Sequence, residues 1–134
     1  MARKWIGSTI WIRGFVFIAN IWKMSKMNGN IMMSLNRSEL RRRVLFYLLS
    51  IYPYKSYISE IARNIRSDPS NVWGCLEGLG SRYTVEESLV GLALVNKEQL
   101  RHIKYFKINA HLIGEIKTLK IMFSQKTLEM EVNE

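Results

Sequence analysis

The sequence predicts a mainly α-helical domain with one small antiparallel β-hairpin. Three observations lead there. Apolar residues recur at helical spacing over 38–51, 58–65 and 70–79, and Ser67-Asp68-Pro69 breaks the pattern abruptly between the last two. Two short β-type runs lie between 92 and 108. Leu112, Ile116, Leu119 and Phe123 then step by 4, 3 and 4, as a helix with one apolar seam does.

Composition agrees with a globular chain of one domain. It has 134 residues, 48% hydrophobic and 23% charged. A single cysteine, Cys75, rules out a disulfide within the chain and suits a reducing, cytoplasmic interior. The net charge of +9 points to a polyanionic partner, but it is unevenly spread. Residues 1–37 carry +6 with no acid, and residues 38–134 carry only +3.

Residues 1–37 read as an apolar, basic extension. Trp5 to Trp22 is rich in β-branched and aromatic residues. A membrane anchor is one reading, although Arg13 at its centre costs about 2.5–3.5 kcal/mol on insertion scales. A secretory signal is another, but no small-x-small cleavage site follows. The third is an extension translated from a start set too far upstream, with Met24, Met27, Met32 and Met33 as later starts.

Regular structure is expected from Asn36. Ser38 suits an N-cap, Glu39 the first turn, and Leu40, Val44, Leu45, Leu48 and Ile51 one buried stripe, ended by Pro53. Arg41, Arg42 and Arg43 on this helix are either a solvated face or phosphate contacts. A second helix opens at Ser56 or Tyr57 and buries Ile58, Ile61, Ala62 and Ile65. Asp68 caps the third, with Pro69 at its first position, where the missing N–H costs nothing. Three residues between two helices fit a steep crossing.

These residues, from Tyr57 to Leu76, resemble the helix-turn-helix of small archaeal winged-helix transcription regulators of the MarR/ArsR-like kind. Ile58, Ile61, Ala62, Ile65, Val72 and Leu76 carry the resemblance, which extends over about 38–123. It implies a winged helix-turn-helix domain over 38–109, and a C-terminal dimerisation helix with an acidic tail over 110–134. It also implies a third helix that reads the DNA major groove.

On a wheel that turns Val72 inward, Cys75, Leu76 and Leu79 follow it. Ser70, Asn71, Gly74, Glu77 and Gly78 point outward, with Trp73 on the flank. Ser70 and Asn71 can contact bases or phosphates, or simply serve the helix start. Trp73 reads either as a DNA contact or as packing. Gly74 and Gly78 leave a bare stripe, which DNA or another helix would approach. Arg66 flanks the helix as a phosphate contact, and Arg82 either contacts a phosphate or packs at the domain edge. Thr84 and Glu87 form a capping box for an inserted helix over 84–92.

Of the two strands, one ends near Val95 and the other runs from about His102 to Ile108, with Asn96 to Arg101 between them. By the resemblance this is the wing, and Lys97, Arg101, His102 and Lys104 are its phosphate-binding side chains. An ordinary solvated hairpin is the alternative. Leu112, Ile116, Leu119 and Phe123 are read as a dimer interface, or as a seam packing back on its own domain.

No glycine loop for phosphate, no metal-ligand spacing and no paired nucleophile is present in the sequence, so neither an enzyme nor a cofactor is expected. The expected function is a homodimeric regulator binding double-stranded DNA. The alternative is a winged-helix module for protein–protein contacts, in either case with residues 5–22 as a possible membrane tether.

Overall fold

A computed structural model describes residues 29–78 and 84–133, with side chains up to Gln125. Within them lie five α-helices and a three-stranded antiparallel sheet. The apolar stretch 5–22 lies outside the described residues, and no described helix is long and apolar enough to cross a membrane.

The first helix, α1, covers 29–37. The boundary read at 37/38 therefore falls between two helices of one core, because Ile31 and Leu35, four apart, are buried with the rest. Ser38 breaks the helix and caps the next, its hydroxyl accepting from the Arg41 N–H at 3.1 Å. Helix α2 runs Glu39–Ile51 and buries Val44, Leu45 and Leu48. A two-residue strand, β1 (Ser56–Tyr57), leads into α3 (Ile58–Ile65), whose Ile61, Ala62 and Ile65 are buried as expected.

The turn after α3 is tight. Arg66 takes a left-handed backbone (φ 57), and the Ser67 N–H closes back on the Ala62 carbonyl at 2.9 Å. Asp68 holds the N-cap position of α4 (Pro69–Glu77) without the expected side-chain cap bond, its carboxylate accepting from the Ser70 hydroxyl instead, and Pro69 stands in the first turn. Val72, Cys75 and Leu76 point into the core.

The helix expected over 84–92 does not form; residues 85–94 make a run of turns. The reason lies in where the amides go. Leu89 and Val90 donate to the Cys75 and Leu76 carbonyls at the end of α4, both at 2.9 Å, not to their own preceding turn. Close approach then requires small residues. A Cβ on Gly91 would stand 2.0 Å from the Val85 carbonyl oxygen. Gly78, at φ 85, lies against the Val85 backbone, so its partner is this chain's own loop.

Strands β2 (Val95–Leu100) and β3 (Ile103–Ile108) pair from Val95↔Ile108 to Leu100↔Ile103, and β1 pairs the other side of β3. The expected connection over Asn96 to Arg101 is mostly strand, and only Arg101 and His102 turn. Polar residues misled the reading: β2 is an edge strand of the sheet, with five of six residues exposed, so it carries no apolar pattern. Phe106 and Ile108 on β3 are fully buried.

Asn109 ties the sheet to the loop, its amide donating to the Ala93 carbonyl at 2.8 Å. A short 3-10 turn (Ala110–Leu112) leads into α5 (Ile113–Asn133). The expected dimer seam faces inward. Ile116 and Leu119 are fully buried in the chain's own core, and Leu112 and Phe123 pack against it. The Phe123 ring lies 6.3 Å from Phe46 of α2, and the Arg42 guanidinium sits 5.0 Å over it. Helix α5 thus covers apolar surface of α2 that would otherwise meet water.

Candidate nucleic-acid interface

The outer side of α4 and the hairpin border one groove of about 480 Å³. Trp73 contributes from α4, Tyr57 from β1, Ile58 and Ser59 from the start of α3, and His102, Ile103 and Lys104 from the hairpin. Trp73 is 40% exposed. Ser70 is exposed at the start of α4, its hydroxyl donating to the Asp68 carboxylate, and Asn71 beside it is half-buried. Arg66 is exposed on the turn before them.

Gly74 departs from the expectation. It is buried, not part of an outward stripe, because α4 is flanked on several sides: α2 and α3 pack on it, and the 85–94 turns bond to its end. Arg82 lies outside the described residues. Arg101 and His102 form the exposed hairpin tip, Arg101 with a left-handed backbone (φ 59). Leu100 and Ile103 beside them are 45% and 46% exposed.

Lys97 and Lys104 lie on the hairpin face that carries Phe106, since Lys97 stands opposite Phe106 and Lys104 is two residues before it. That face meets α4. Lys97 Nζ is 2.7 Å from Glu77 Oε1, and Lys104 Nζ is 3.4 Å from Oε2. The Trp73 indole N–H donates to Oε2 at 2.7 Å, and the Lys104 ammonium lies 5.6 Å above the Trp73 ring. Burial alone would push the Glu77 carboxyl up. Hydrogen bonds from Lys97 and Trp73, with the charges of both lysines, outweigh burial and hold it below the usual carboxylate range.

Glu77 was read only as an outward residue. The signal available was its four-residue spacing from Trp73 as the one acid within Pro69–Glu77. Its lysine partners lie 20 and 27 residues away in the chain, and no local pattern shows them.

The arginine triplet is engaged in bonds within the chain. Arg41 is buried, bonded to Ser34 at its carbonyl (3.1 Å) and hydroxyl (3.2 Å), and 3.5 Å from Glu87. Arg42 donates to the Leu35 carbonyl at 2.5 Å, and Arg43 to the Ile65 carbonyl. These side chains join α1, α2, α3 and the 85–94 turns. Cys75 is a core residue, its thiol pushed up to about 11 by burial, against the lowering charge of Arg41 and a hydrogen bond with Ser38. Among the described residues no group of three His, Cys, Asp or Glu could hold a metal ion.

An uncharacterized protein of Methanocaldococcus jannaschii is 46% identical over 78 residues, covering 58% of this chain and 70% of the relative. No solved structure matches the chain. The EarA-like family model matches residues 31–116, nearly two thirds of the chain, starting within α1 and ending at Ile116 in α5. The chain belongs to the EarA-like family.

Proposed function

We propose that the chain is a DNA-binding transcriptional regulator with a winged helix-turn-helix, α4 entering the major groove and the β2–β3 hairpin serving as the wing on the phosphate backbone. The observation that carries this reading is the shared groove. Trp73 on the exposed flank of α4 and His102 and Lys104 of the hairpin border the same concavity, which sets a base-reading and a backbone-holding element side by side. Ser70 and Asn71 at the start of α4 read base edges, while Arg66, Arg101 and His102 hold phosphates. A homodimer on a two-half-site operator belongs to the proposal. With Ile116 and Leu119 in the chain's own core, it uses the face of α5 around the exposed Ile121.

The test is a titration of the full chain with duplex DNA at several salt concentrations. Affinity falls linearly with salt on logarithmic axes, by about 0.9 per phosphate contact. Arg66→Glu with Arg101→Glu weakens binding at least about tenfold on every sequence, whereas Asn71→Ala relaxes sequence preference by about 1–3 kcal/mol. No binding at low salt refutes the proposal. The exposed Leu100 and Ile103 favour a second reading, a winged-helix module for protein contacts. For that module, binding tracks these two aliphatics and responds little to salt.

A further inference from the structure

Two ammonium groups from different strands converge on one carboxylate. The Glu77 side chain is only 13% exposed and receives Lys97 on one oxygen and Lys104 with the Trp73 indole on the other. The lysines are 39% and 37% exposed, and Lys104 also lines the groove. The carboxylate is thus the enclosed partner and the cations the accessible ones. A site built only to hold the hairpin on α4 needs one such pair. Two half-exposed lysines, one of them Lys104 at the groove, satisfy any anion with two charge-sharing oxygens.

Resting on the DNA-binding reading, we infer that Lys97 and Lys104 form a two-lysine site for a backbone phosphate, which Glu77 occupies in the free protein as a tethered anion. A phosphodiester offers the same paired, negatively charged oxygens. The four-carbon lysine stems let the ammonium groups swing outward to it, while Glu77 keeps the Trp73 indole as donor. Each phosphate gained there displaces an existing ion pair. Glu77 therefore lowers the sequence-independent share of affinity and leaves more of the selection to the start of α4.

Glu77→Gln in the full chain tests this. It removes the charge and keeps a side chain of the same length with an acceptor for Trp73. The variant elutes from heparin at higher salt than the wild type and binds duplex DNA about tenfold tighter at fixed salt. Its salt slope is steeper by about 0.9, the increment for one phosphate gained. The gain vanishes in a Lys97→Gln/Lys104→Gln background. Glu98→Gln makes the same charge change on the hairpin's outward face, where Glu98 pairs with Lys55, and gains less.

Thermal unfolding confirms that each variant is folded, and Glu77→Ala serves as a second charge-removing variant. Wild-type behaviour of both Glu77 variants, a Glu98→Gln gain as large, or a gain surviving loss of both lysines overturns the inference. A heparin gain without duplex binding overturns the DNA reading and leaves the two-lysine site standing for another polyanion.

Discussion

Lys97 Nζ stands 2.7 Å from Glu77 Oε1 and joins the edge strand β2 to the end of α4. The pair fixes how the hairpin lies against the helix. It also gives that junction a pH dependence of known sign. The folded state holds the Glu77 carboxyl below its usual range, so its contribution is present above the unfolded carboxylate value. It is lost as pH falls through the lower folded value. The difference in thermal midpoint between wild type and Glu77→Gln is therefore full at neutral pH and shrinks to nothing in acid. A difference that stays constant from pH 7 to pH 3 contradicts this.

The hairpin tip separates charge from backbone strain. Arg101 sits in the left-handed region, which costs a non-glycine residue about 1 kcal/mol. Arg101→Gly relieves that strain and keeps the thermal midpoint at or above the wild-type value. Arg101→Val, β-branched at the same angle, lowers it. Both lose the cation, so both bind DNA more weakly. Unfolding scans beside DNA titrations check the two effects independently.

Gly91 answers to its surroundings more than to its own backbone. A methyl group there drives into the Val85 carbonyl oxygen, and the turns cannot move without breaking the Leu89 and Val90 bonds to α4. Gly91→Ala destabilises by at least about 2 kcal/mol in denaturant unfolding. Gly114, with nothing within 4 Å of such a methyl, is the control and gains slightly as a helical site.

Leu119 distinguishes a core from an interface. Leu119→Ala opens a cavity in the chain's own core and costs about 2–5 kcal/mol. The loss is the same at every protein concentration, because the packing it removes lies within one chain. A loss that grows on dilution would instead mean that Leu119 holds two chains together.

How much of this could be read from the sequence follows from the range of each interaction. Helices α2, α3 and α4 were legible because their apolar stripes and start and stop signals are local, as at Ser38 and Asp68-Pro69. Strand β2 was not, since an outer strand with one buried residue shows no alternation. The helix expected over 84–92 had a fair capping box at Thr84 and Glu87. It lost to a tertiary demand, the uncapped carbonyls of Cys75 and Leu76. On the candidate site, Trp73 and the hairpin cations were singled out by residue type. What binds them together, Glu77, depends on contacts across 20 residues or more. The stepped seam of α5 was correctly seen as apolar, but spacing alone cannot say whose surface it covers.

The outer strand β2 has a further property. A second copy can extend the sheet antiparallel to it only with the same sheet face upward, and directly opposed residues must then share a face. Residues an even number apart share a face, so the pairings of longest overlap centre on a single residue. They set Lys97 against Lys97 or Glu98 against Glu98. The attractive match of Lys97 with Glu98 has the wrong parity. A strand edge able to join two copies into one continuous sheet is thus spelled so that like charge meets like charge.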